Sequence, residues 1–184
     1  MPEIVGNKQL NTAYTQLIPL SELAAGQVGI IRNEVIRAIV AQASFEAKVP
    51  TNRLVVRDIL PATDLDYGAE EWGETTGGTV NVYETMTTGT MATDRWMAIF
   101  GVKLVEGAGS ASALKFNVGG GDRFIWQIQS LSKEDDYVGY CSSPVIITQN
   151  SPYTISRYVR AINNAFSCIL RGVVVETRGK LISP

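Results

Sequence analysis

The stretch Arg123-Phe124-Ile125-Trp126-Gln127-Ile128-Gln129-Ser130 alternates, with Phe124, Trp126, Ile128 and Ser130 on one side of an extended chain and Arg123, Ile125, Gln127 and Gln129 on the other. A period of two in β-branched and aromatic residues marks a strand with one face turned to an apolar interior, which places Trp126 in the core. Just upstream, Gly119-Gly120-Gly121 separates this segment from the apolar run Ala113–Val118. Glycine supplies the positive φ of a tight turn, so the two segments predict a β-hairpin. Outward from it, the same texture recurs at Arg53–Leu60, Thr79–Thr85, Arg95–Val105, Tyr137–Cys141, Val145–Gln149, Tyr153–Arg160 and Ala165–Thr177. In the last of these, Phe166, Cys168 and Leu170 alternate up to Gly172, and Val173 and Val175 resume in shifted register, which predicts a bulge at Gly172. Turn signals lie at Thr75–Gly78, Thr87–Thr90, Gly107–Ser112 and Ser132–Asp136. Many strands joined by short connections, without helices between them, predict a mainly β fold, a two-sheet antiparallel β sandwich or jelly roll.

The region before residue 50 reads differently. Residues 1–20 are mixed in character and contain Pro2 and Pro19, so an extended arm or irregular structure is expected there. Ser21 is a candidate N-cap. Ile31, Val35 and Ile39 recur every fourth residue, with Ile36, Val40, Ala43 and Ala47 on a neighbouring row, predicting an amphipathic helix over about 28–48 that Pro50 stops. Two units are expected: residues 1–50, the arm and helix, and residues 51–184, the sandwich. The helix stripe must cover either the chain's own core or a neighbouring subunit, so Ile31, Val35 and Ile39 are candidate subunit contacts. Trp72, in the acidic stretch Asp64–Glu74, is a fourth.

Composition removes several chemistries. The chain of 184 residues contains no histidine, the commonest general base and metal ligand. It has 16 Lys+Arg against 18 Asp+Glu, with the cations scattered, so no direct nucleic-acid binding is indicated. The glycine clusters match neither phosphate-binding loop pattern. The acidic stretch at 64–74 starts like a calcium loop but places Gly68 at a ligand position, and is expected as a solvated loop. No metal, no cofactor and no catalytic constellation is predicted; the chain is not expected to be an enzyme. Cys141 and Cys168 are expected as buried free thiols. Trp72, Trp96 and Trp126 with Tyr67, Tyr83 and Tyr137 offer rings for a sugar platform, although core or subunit contact is the favoured account of them. No secretory signal and no transmembrane run is visible.

The segments Arg95–Val102, Arg123–Ile128, Asn150–Ser156 and Ile169–Glu176, behind an N-terminal helical arm, resemble viral, bacteriophage-like jelly-roll capsid and capsid-decoration (cement) proteins. That resemblance implies a virion structural protein made in a host cytoplasm, with itself and other capsid subunits as partners, forming a homo-oligomer, in particular a trimer. The alternative is a carbohydrate- or receptor-binding β-sandwich module of a phage tail or fibre.

Overall fold

Strand β6 (Arg95–Glu106) is buried over almost its whole length, and what covers each of its faces defines the architecture. The computed structural model describes residues 12–67, 72–75, 79–107, 109–133, 137–162 and 164–178. Along the chain run β1 (Thr12–Gln16), β2 (Ile18–Pro19), α1 (Gln27–Ala47), β3 (Leu54–Asp58), α2 (Pro61–Asp64), β4 (Trp72–Thr75) and β5 (Tyr83–Thr90). After β6 come β7 (Ala111–Val118), β8 (Asp122–Gln127), β9 (Val138–Ile147), β10 (Pro152–Val159) and β11 (Ala165–Thr177). A front sheet has the order β1-β8-β7-β10-β5; a back sheet has the order β2-β9-β6-β11-β3, with β4 also on β11. From β3 onward the chain switches sheet at each step after β4 except at the β7–β8 hairpin. That winding, with β8-β7-β10-β5 facing β9-β6-β11-β3, is the jelly roll. The chain is therefore a two-sheet β sandwich. Its one parallel ladder among the described residues is β1 on β8.

Between the sheets lies one apolar core containing Leu17, Met97, Leu114, Phe116, Trp126, Ile155, Phe166 and Val174. A second core lies behind the back sheet, where Ile31, Val35, Ile39 and Ala43 of α1 meet Trp96, Ala98, Phe100, Val173 and Val175. Residues on both sides of β6 are thus covered, which is why its sequence reads as a continuous apolar run while β8 alternates. The α1 stripe serves the chain's own core: Ile31, Val35 and Ile39, expected among the subunit contacts, are buried under the back sheet. The helix is further held by the Trp96 indole, which donates to Glu46 Oε2 at 2.6 Å.

Several expectations are revised. Residues 12–19, expected as an arm, enter both sheets as β1 and β2, with Leu17 buried between them. Ser21 lies in a 3-10 turn over Leu20–Glu22 and does not cap α1, whose N-cap is Gly26 at φ +83°. The Thr87–Thr90 turn is instead the end of β5. Threonine is β-branched and suits a strand, and Gly89 makes room for an aromatic ring, since a Cβ there would stand 2.7 Å from the Tyr153 hydroxyl. The segments 137–141 and 145–149 join into one strand, β9, irregular where it passes Phe100. At Gly172 the expected register shift is present, and a Cβ there would meet the Ala98 carbonyl oxygen at 2.5 Å.

Candidate functional site

Two charged or aromatic constellations emerge from the fold, one inside the back sheet and one on the front sheet. In the first, Asp64 ends the short helix α2, where its carboxylate is fully buried and accepts the Leu60 amide at 2.7 Å. Arg57 of β3 grips it with both terminal nitrogens, Nη1 at 2.7 Å from Oδ2. The same guanidinium reaches Glu176 of β11 at 2.9 Å, and Arg95 of β6 meets Glu176 at 2.6 Å and Asp64 at 3.4 Å. Two cations and two anions cancel, and the hydrogen bond to Asp64 pushes the Arg57 guanidinium further up from its ordinary value. Each carboxylate is occupied by arginine, so the quartet joins β3, α2, β6 and β11 as a structural lock. The acidic stretch was expected as a solvated loop; its first residue is this buried anchor. Trp72, expected in that loop, opens β4 with its backbone opposite Cys168; its side chain lies outside the described residues, as do residues 68–71.

Among the described residues the front sheet has no such cover. Among the described residues the long helix packs on the back sheet, and the outward positions of the front sheet follow from alternation. One row reads Tyr14, Ile125, Lys115, Ser156, Thr85 across β1, β8, β7, β10 and β5; the next reads Gln16, Gln127, Ala113, Tyr158, Tyr83. Ser156 is small, and Lys115 leans across it until its Nζ lies 4.0 Å from the centre of the Tyr83 ring. Tyr158 meets that ring edge-on at 5.0 Å. Tyr14 stands 71% exposed. Burial lowers the Lys115 ammonium from its ordinary value, with Arg123 adding repulsion. Burial, followed by the nearness of Tyr14 and Tyr158, raises the Tyr83 hydroxyl. No Asp or Glu lies at the described outward positions of β1, β5, β7, β8 and β10; Glu84 turns inward to Arg157 at 2.9 Å.

The rings expected as a sugar platform do not come together. Trp96 and Trp126 are fully buried in different cores, Tyr67 packs against the inter-sheet core, and Tyr137 is exposed just before β9 of the back sheet. Tyr14 and Tyr158 replace them beside Tyr83, a grouping that only the strand order reveals. On the free face of α1, Ile30 and Phe45 stay exposed, Phe45 at 84%. A groove of about 200 Å³ beside this helix is lined in part by Phe100, Tyr140 and Arg171 and by Arg32 and Asp58, which pair at 2.9 Å. Cys141 and Cys168 are free and buried; burial pushes the Cys141 thiol up to about 12 and raises Cys168 as well. Among the described residues no group of three or more His, Cys, Asp or Glu is placed to hold a metal ion, and no helix is long and apolar enough to cross a membrane.

No family model matches the chain, and no curated protein matches it. Among solved structures it is similar to a chain in the structure of the infectious bursal disease virus Gt strain, at 14% identity and a TM-score of 0.34, covering 72% of this chain and 34% of that one. The chain thus spans about a third of the length of the solved chain it matches.

Proposed function

We propose that this chain is a structural subunit of a virus particle, a capsid or capsid-decoration (cement) protein, made in the host cytoplasm and assembling in the virion with itself, as a trimer, and with other capsid subunits. The jelly-roll winding carries this reading, because it is an architecture of shell-forming proteins. The chemically capable side chains support it as well: Arg57, Asp64, Arg95 and Glu176 neutralise one another, and both thiols are buried and protonated. What remains for function is surface, namely the free face of α1 with Ile30 and Phe45 and the edge strands β1 and β5 of the front sheet. On this reading the protein acts by contact and transforms no substrate.

The test is the assembly state of the purified chain, read by light scattering and electron microscopy, with Phe45→Glu as the comparison. Oligomers or shells from the native chain, dissolved by Phe45→Glu, are expected. A species of 20.0 kDa at every concentration, with no particle visible, overturns the proposal.

A further inference from the structure

We propose that the outer face of the front sheet is a binding site for an acidic saccharide, one bearing carboxylate or sulfate groups, with Tyr14 as the stacking ring and Lys115 and Arg123 as the anion partners. The charge of the face selects the class. The chain carries a net charge of −2, yet the described outward positions of these five strands hold Lys115 and Arg123 and no carboxylate. An anion is favoured there against the sign of the whole molecule.

The rings select a flat, hydroxylated partner. Tyr83 is engaged by Lys115 on its face and by Tyr158 at its edge, whereas Tyr14 offers a free ring to the apolar face of a pyranose. Tyr14 and Lys115 share one row with Ile125 between them, their backbones two strand spacings or about 10 Å apart, with the Lys115 ammonium further along the row against Tyr83. An oligosaccharide laid across the strands stacks on Tyr14 at one end and pairs with the ammonium toward the other. Gln16 and Gln127, both exposed, flank the row as hydroxyl partners. Lys115 is partly buried with the Tyr83 ring against its ammonium, so part of its hydration is already displaced before an anion arrives. A nucleic-acid strand is the weaker fit: it needs a run of cations to follow its phosphates and several free rings for its bases, and the described outward positions hold two cations and one free ring.

The two readings share the front-sheet edge strand β1, which carries Tyr14, so the experiment reads assembly and saccharide binding separately. The full chain is titrated by calorimetry with oligogalacturonate, a sulfated heparin oligosaccharide, a neutral cello-oligosaccharide and single-stranded oligothymidylate, while light scattering reports its assembly in the same samples. Binding of at least one acidic saccharide, weakened about tenfold by Tyr14→Ala and by Lys115→Gln and absent for the neutral sugar, is expected. Tyr14 is mostly exposed, so Tyr14→Ala keeps the fold, which circular dichroism verifies. The proposal is overturned if neither acid binds, if both variants bind like the native chain, if the neutral sugar binds equally, or if oligothymidylate binds more tightly than either acid. A chain that binds the saccharide but never assembles sinks the particle reading and leaves this one standing.

Discussion

Among the described residues the back sheet is sealed on both faces and the front sheet on one, and the residues record the difference. In β6, side chains on either face find apolar neighbours, the front sheet on one side and α1 on the other. In β7 and β10, every second residue is small, polar or tyrosine, because it faces outward: Ala113, Lys115, Asn117, Thr154, Ser156 and Tyr158. Two sheets of one winding have therefore divided the work. The sealed one concentrates stability, through the helix, the ion quartet and the thiols, and the open one keeps a surface available for contact.

The largest expected effect that tests this division is at the quartet. Asp64→Ala leaves Arg57 partly buried and Arg95 short of one partner, and is expected to cost about 3–5 kcal/mol in urea unfolding. The double change Arg57→Met with Asp64→Leu should recover much of that, since apolar replacements of a buried pair are often neutral. Next is Ile39→Ala under the helix, expected to lose about 2–5 kcal/mol; a loss below about 1 kcal/mol would mean that α1 is a loose cover and that the sealed sheet is sealed in name only.

The thiols sharpen the comparison through pH, since both Cys141 and Cys168 project from the back sheet into the inter-sheet core. Their native values are raised, so in the unfolded chain they ionise first, near 9.0, while the native thiols stay protonated. Stability is therefore intact below about pH 9 and falls as the pH rises toward 12 for Cys141, by about 1.4 kcal/mol per pH unit for each thiol. Cys141→Ala should flatten that alkaline fall in chemical denaturation followed from pH 8 to about 11. The smallest effect is expected on the open face: Tyr14→Ala should change stability by no more than about 0.5 kcal/mol. A large loss there would show the ring holding β1 in place and would erase the distinction between the two sheets.

Much of this architecture was legible in the residues. β11 has the bounds its alternation predicts, Gly172 marks the bulge, and Gly119–Gly121 turns the hairpin. Those features are local, and a local period reports them. β1 and β2 were not legible, because five and two residues with a proline show no period and owe their conformation to partners in β8 and β9. The quartet was hidden for the same reason: Arg57 and Asp64 are near in sequence, but Arg95 and Glu176 arrive from other strands. The Tyr14, Tyr83 and Tyr158 grouping likewise exists only once β1, β5 and β10 share a sheet. Sequence spacing located the walls of the sandwich, and tertiary pairing alone determined what stands next to what.

The short strands β1 and β2 carry a consequence for biosynthesis. Their partners, β8 over Asp122–Gln127 and β9 over Val138–Ile147, leave the ribosome long after them. The first of these strands to be translated is thus among those that must wait, so the newborn chain carries an undocked leading segment until most of its length has emerged. During that interval the backbone hydrogen-bonding groups that β1 and β2 later give to β8 and β9 are left to water.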